Sequence, residues 1–384
     1  MQPIVRFFLA LSLVSVILTA CQSAPASPTP DLGPALTQAV ATALAQLATP
    51  TFTPSPVPTA TVARTPPPLP ALFTTTLPDP LVKPNTYIQD ACQYLKDKWT
   101  PTNAAPGTIV MAVMIHSITK GTITDPLGQI SVQNFKQLMN DLHEQGFTAI
   151  TAQQLVDFLY TNAKIPERSV ILIQDDRKTA ENFTEHFLPY YQQWGWPVVN
   201  GWISLDDSIG RQYLPENVAL SKQGWVDYEA HGVVHNVPIS STSSDEYMRG
   251  ELFGSMQAIQ KNFGKTPVAY IWPGGGFTPK AVQLARQAGY KIGFTTSPRG
   301  PMMFNWIPQR DQDDPQNPWY IAEGSSGDPL MTLPRYYDST AGAHIDEARQ
   351  IGQQAAAYAE QNKATELDYY NIVCAAKYGA IPAQ

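Results

Sequence analysis

The 384-residue chain has no basic excess: 25 Lys and Arg face 32 Asp and Glu, a formal net charge of −7. No nucleic-acid footprint is visible in that balance, and no nucleic-acid partner is expected. Cysteine is scarce, with only Cys21, Cys92 and Cys374 present. In an extracytoplasmic compartment a Cys92–Cys374 disulfide is permitted and would tie the start of the domain to its end. Two separately buried thiols fit the sequence equally well. A long apolar run is also missing. The run Phe7 to Leu18, which comes after Arg6, is too short for an ordinary transmembrane helix and fits the core of a signal peptide.

The end of that run carries a processing signal. Leu18-Thr-Ala-Cys21 resembles a bacterial lipobox, which implies removal of residues 1–20 and a lipid on Cys21. The mature chain would then be extracytoplasmic, on the cell surface, anchored to a membrane without spanning it. Residues 21–85 are rich in Pro, Thr and Ala, as in Thr49-Pro-Thr-Phe-Thr-Pro-Ser-Pro-Val-Pro58. Such a stretch buries too little apolar surface to offset its ordering entropy and reads as a disordered, semi-rigid spacer. Ala35 to Ala48 has the composition of a short helix within it. Residues 86–384 are enough for one large domain, expected to be a monomer.

Strand and helix patterns alternate through that domain. Thr108–Ile115, Phe147–Ile150, Ser169–Ile173, Val198–Ile203, Val226–Glu229, Val268–Trp272 and Lys291–Thr295 read as strands, with Leu330–Leu333 as one more. Helices are expected from Ser131 to Gly146, from Thr151, over Thr179–Gln193, Ser244–Phe263, from Thr278-Pro279 and over Ala343–Asn362. Alternation implies parallel strands with crossover helices, and seven or eight units suit a distorted (β/α) barrel. A doubly wound open α/β sheet is the alternative fold.

Polar residues stand just past the strands: His116, Asp175-Asp176, His231 with His235, and Trp272-Pro273. In a barrel such ends converge on one face. One Asp with two His makes a divalent metal site with an open position, and the second Asp is then free to act as a base. Taken alone, the Asp pair also reads as a helix cap or turn.

In this order the motifs resemble the NodB-homology polysaccharide deacetylases (the carbohydrate esterase 4-like group). The likeness runs from about residue 107 to 340. Ile173-Gln-Asp-Asp-Arg177, His231-Gly-Val-Val-His235 and Tyr270-Ile-Trp-Pro-Gly-Gly275 stand where that family has Thr-Phe-Asp-Asp-Gly, His-Ser/Thr-x-x-His and a Pro-Tyr-Gly segment. The resemblance implies a barrel of seven strands and metal-dependent removal of N-acetyl, or O-acetyl, groups from an acetylated polysaccharide. Its metal triad falls on Asp176, His231 and His235, holding Zn²⁺ or alternatively Co²⁺ or Ni²⁺. Its general base falls on Asp175. His116 is the candidate general acid, as in the branch acting on poly-N-acetylglucosamine. Trp272, Pro273, Gly274 and Arg335 are candidates for contacts to substrate or oxyanion.

The chain also departs from the family pattern. Arg177 replaces the usual Gly, Ile271 replaces the Arg that steadies the base, and Gly274 replaces Tyr, which would widen the pocket. Arg335, in Leu333-Pro-Arg335, takes the place of the late His, so either Arg177 or Arg335 could serve beside the base. A glycan-binding protein without turnover is the second reading, with Trp272, Trp306 and Trp319 as sugar-stacking or simply core residues. A glycosidase ranks last. Adjacent carboxylates do not flank a glycosidic bond at the separations of roughly 5 or 6.5–9.5 Å that this chemistry needs.

Overall fold

The computed structural model describes residues 37–38, 41–43, 64–234, 237–317 and 320–382. Cys21, His235 and Trp319 lie outside the described residues, as does most of the stretch preceding Arg64. The chain divides into Met1–Ala63 and a folded unit, Arg64–Gln384. In the first, residues 37, 38 and 41–43 are helical.

The folded unit is built on β1 (Ile109–Ile115), α1 (Val132–Glu144), β2 (Thr148–Ala149), α2 (Ala152–Thr161), β3 (Arg168–Gln174), α3 (Ala180–His186) and α4 (Leu188–Trp194). Next come β4 (Val198–Trp202), α5 (Ser208–Ser221), β5 (Val226–Ala230), α6 (Asp245–Phe263), β6 (Ala269–Ile271), α7 (Pro279–Ala288) and β7 (Ile292–Phe294). The last two are β8 (Tyr336–Tyr337) and α8 (Ile345–Tyr369). Seven strands take the path β7-β6-β5-β4-β3-β1-β8, with β2 paired to the first part of β3. All these pairs are parallel. The sheet curls into a distorted (β/α) barrel, and the open doubly wound alternative is set aside.

Alternation along each strand sorts the core into two layers. Val110, Ala112, Ile171, Ile173, Val199, Ile271, Ile292 and Phe294 fill the inside of the curl. Met111, Val113, Leu172, Val198 and Trp202 face outward against Phe135, Leu138 and Met139 of α1 and Leu252 and Met256 of α6. With both faces covered, the strands read as unbroken apolar runs.

One short segment joins the two edges of the curl. Leu333 bridges Phe294 in parallel, its N–H donating to Gly293 at 2.7 Å. Tyr336 and Tyr337 then pair with Val113 and Met114. Arg335 stands between these two attachments, on the seam.

Several expected elements differ. Residues 64–85, assigned by composition to the spacer, belong to the folded unit. Their carbonyls are used by the domain: Trp306 Nε1 donates to Phe73 at 2.9 Å and the Tyr358 hydroxyl to Ala71 at 2.7 Å. Val82–Asn85 also pairs antiparallel with Ile307–Arg310. The helix expected over Thr179–Gln193 is split into α3 and α4, because Pro189 in the first turn of α4 has no N–H to continue the ladder. Leu330–Leu333 is not a strand; Pro329–Met331 forms a short 3₁₀ turn. Helix α5, with Pro215 inside it and a weakly amphipathic face, has little helical signature.

Cys92 and Cys374 are joined as a disulfide across 282 residues of sequence, with Cα atoms 5.3 Å apart. A crosslink closing so long a loop stabilises mainly by restricting the unfolded chain. Cys92→Ser is therefore expected to lower unfolding stability by about 2–5 kcal/mol. Denaturant midpoints of the oxidised protein and the variant check this, and equal midpoints would refute it.

Candidate active site

Register explains why His116 and Asp175 meet. Strands β1 and β3 pair residue for residue from Ile109↔Arg168 to Ile115↔Gln174. The next residue on each strand is His116 and Asp175, and Asp175 N–H still donates to Ile115 at 2.8 Å. Gln174 locks the two strand ends together. Its fully buried amide donates to the carbonyls of Ile115, His116 and Asp175 at 2.8, 3.0 and 3.0 Å. His116 Nε2 comes to 3.5 Å from Asp175 Oδ2, with 27% of the His116 side chain exposed and 1% of the Asp175 side chain.

Arg335 reaches Asp175 from the seam. Its Nη1 donates to both carboxylate oxygens, at 2.7 and 2.9 Å, and its Nε to Thr295 O at 2.7 Å. The guanidinium is wholly buried. Burial pushes the Asp175 carboxyl up, but Arg335 foremost, with His231 and His116, outweighs it and holds the group below the ordinary carboxylate range. Arg177 does something else: it forks onto Asp207 at 2.6 and 2.9 Å and donates to Leu205 O. Asp207 is the N-cap of α5, so Arg177 fixes a neighbouring loop, and the arginine beside Asp175 is Arg335.

Asp176 turns away from Asp175 because its backbone is left-handed, at φ 69°, a conformation Asp adopts more readily than most residues. Its Oδ1 faces His231 Nε2 at 3.8 Å and its Oδ2 faces Lys178 Nζ at 3.8 Å. His231 Nδ1 lies 2.8 Å from Ile271 O. A carbonyl only accepts, so Nδ1 carries a proton and Nε2 is the nitrogen left to face Asp176. A ligating imidazole is normally supported in this way, its second nitrogen held by a backbone carbonyl. The carboxylate–imidazole pair therefore has the donor chemistry of a divalent-metal site. Among the described residues no three His, Cys, Asp or Glu form such a group, and the third expected ligand, His235, is outside them.

Trp272 does not match its expected role as a sugar-stacking residue. Trp272 is fully buried in the core, its indole donating to Met331 O at 2.7 Å, so it offers no face to a sugar. Trp306 is buried against Phe73 as well. Pro273 is buried, whereas Gly274 is exposed. Gly274 has φ 57°, and a Cβ there would stand 2.9 Å from Pro238 Cγ. Pro238 fills the space a side chain would take, so the glycine lets two rim loops close on each other and does not widen a pocket.

Three further residues belong to the rim or its support without standing out in the sequence. Gln174 has the place of one more strand residue. Asp338 comes directly after β8 and, by the register Tyr337↔Met114, stands beside Ile115. Burial pushes its carboxyl up to about 7, opposed by the Ser339 N–H and assisted by the Asp175 charge. Glu251 lies on the buried face of α6 with Met248, Leu252, Ser255, Met256 and Ile259. An acid on that apolar stripe is the one signal the sequence offers for it.

Residues 162–293 match the family model for polysaccharide deacetylases. YxkH of Bacillus subtilis (strain 168), which carries a polysaccharide deacetylase name, is 22% identical over 188 residues, 48% of this chain and 64% of that protein. The chain thus spans less than two thirds of that relative. Among solved structures, the Streptococcus pyogenes deacetylase PplD in complex with acetate superposes with TM-score 0.50 at 17% identity, over 64% of this chain and 99% of that one. A de-N-acetylase from Aggregatibacter actinomycetemcomitans gives 0.49 at 17%, over 62% and 99%. The likeness to the streptococcal structure shows the fold. The sequence likeness to polysaccharide deacetylases covers residues 162–293 of the folded unit.

Proposed function

We propose that this protein is a metal-dependent hydrolase that removes N-acetyl groups from an extracellular or cell-wall polysaccharide, nearest in kind to the poly-N-acetylglucosamine deacetylases. The observation that carries the reading is the order of groups on one rim. Buried Asp175 accepts from Arg335 Nη1 on both oxygens and faces His116 at 3.5 Å, and next to it Asp176 faces His231 at 3.8 Å. The lipobox reading of Cys21 would hold the enzyme on the cell surface through a lipid.

Asp176 and His231, with His235, would hold the metal, and Zn²⁺ suits that donor set. When bound, a divalent ion there lowers the pKa of water and polarises the acyl carbonyl. Asp175, kept ionised by Arg335, accepts a proton from the attacking water. His116 donates one to the leaving amine, which cannot depart as an anion. The Asp175–His116 contact sets both on one side of the reacting centre, so a proton taken by the first is near the second. An O-acetyl ester would need the same groups.

Metal analysis of the purified protein, combined with acetate release from N-acetylglucosamine polymers, tests the reading. Bound metal without acetate release from any acetylated glycan would favour the glycan-binding alternative. For His116, an alanine variant is expected to keep its metal and lose about 10²-fold or more in kcat. Unchanged turnover of His116→Ala would remove it from the acid's role.

A further inference from the structure

We infer that Glu251 is a positioning residue that shapes the loop joining the two motif histidines and thereby sets the affinity of the site for its metal; this rests on the metal-dependent reading above. Glu251 is 3% exposed. A carboxylate so deep in an apolar face is costly unless it is paired and hydrogen-bonded. Its partners are the loop amides themselves: Oε2 accepts from Val233 N–H at 2.8 Å and Oε1 from Val234 N–H at 2.9 Å.

Two successive N–H groups aimed at one anion require a particular backbone, a small concave nest. Gly232 supplies it with φ 76°. A Cβ at that position would stand 2.4 Å from Glu251 Oε2 and 3.2 Å from Pro273 Cγ, so the carboxylate closes over the space the glycine leaves. Tyr247, one turn earlier on α6, donates its hydroxyl to Val237 O. Helix α6 therefore grips the loop at residues 233, 234 and 237, on both sides of His235. His231, immediately before the nest, is pinned through Nδ1 to Ile271 O.

Glu251 acts through the loop amides. It holds the backbone between the two histidines in one shape before a metal arrives, so binding has less ordering to oppose it. Supporting partners of metal ligands typically change affinity by about 10–100-fold when lost. Gln at this position keeps the volume but offers one carbonyl and one NH₂ to two N–H donors, so one amide is left facing a donor.

The test is a Zn²⁺ titration of the full chain against a competing chromogenic chelator, with near-ultraviolet circular dichroism and melting in EDTA alongside. Glu251→Gln is expected to stay folded and bind Zn²⁺ about 10–100-fold more weakly than the wild type. A residue that merely stabilises the fold would lower the melting temperature in EDTA and leave the Zn²⁺ Kd unchanged, and that result overturns the inference. If Glu251→Gln fails to fold, Glu251→Asp decides on the same scale: a weaker Kd supports the positioning role and an unchanged one refutes it. A wild-type protein with no measurable Zn²⁺ binding would instead bring down the metal-dependent reading itself.

Discussion

Asp175→Asn is expected to retain its divalent metal and lose about 10²–10⁴-fold in kcat. The side chain keeps its shape, and its carbonyl still accepts from Arg335. It loses the negative charge and with it the ability to take a proton from water. In the wild type burial pushes that carboxyl up, but Arg335 together with His231 and His116 outweighs it and keeps the charge. The neighbouring carboxylate answers differently. Asp176 is turned toward His231 by its left-handed backbone, so Asp176→Ala is expected to lose metal and activity together. The two variants, compared by metal content and by acetate release, separate a proton acceptor from a ligand. Asp175→Asn within tenfold of wild-type turnover would dismiss Asp175 as the base. The variant leaves a buried guanidinium short of its counter-charge, so its melting temperature is expected to fall, and kcat should be read well below that point.

Much of the rim is legible from the sequence because it depends on local pattern. Apolar runs end in polar residues, and β1 and β3 are seven residues each, so pairing them end to end brings His116 beside Asp175. The illegible parts depend on backbone angles and on long-range closure. Nothing in Asp-Asp says that the second residue takes φ 69°, which is what divides the pair into two directions. Nothing in Arg177 says that it turns outward to cap-residue Asp207, although it lies closer in sequence to Asp175 than Arg335 does. The proline-rich composition of residues 64–85 points to a spacer because composition measures how little a segment can bury alone. It carries no information about side chains elsewhere, such as Trp306 and Tyr358, that donate to its carbonyls. Trp272 looks available for a sugar because it ends a strand run, but the 3₁₀ turn at Pro329–Met331 brings a carbonyl to its indole and covers it.

Arg335→Met is expected to lower kcat by an amount approaching that of Asp175→Asn and to destabilise the fold by about 3–5 kcal/mol, the usual penalty for removing one partner of a buried pair. Both side chains are buried, at 0% and 1% exposure, so solvent cannot replace the lost guanidinium. The same pair fixes the sign of the pH dependence. In the wild type the Asp175 pKa is depressed, so the pair stabilises the fold above the ordinary carboxylate pKa, and that stability is lost as pH falls through the depressed value. Without Arg335, burial is no longer outweighed and the carboxyl rises. The deficit of the metal-free variant should therefore be full at neutral pH and shrink on acidification, measured by denaturant midpoints against pH. A deficit that is the same from about pH 7 to about pH 3 would show that Arg335 acts by packing alone. Arg335→Lys keeps a charge but loses the Nε donation to Thr295 O that orients the head group, so partial recovery at best is expected. The sharper control is the double variant Arg335→Met/Ile271→Arg. A Cβ at Gly201 would lie 3.1 Å from Ile271 Cδ1 and 3.5 Å from Asp175 Oδ1, so residue 271 and Asp175 border the same point beside Gly201. If the seam arginine has taken over the task that the resemblance assigns to position 271, an arginine restored there should recover turnover that Arg335→Met alone has lost. Recovery of stability without recovery of turnover would instead confine Arg335 to holding the barrel seam shut.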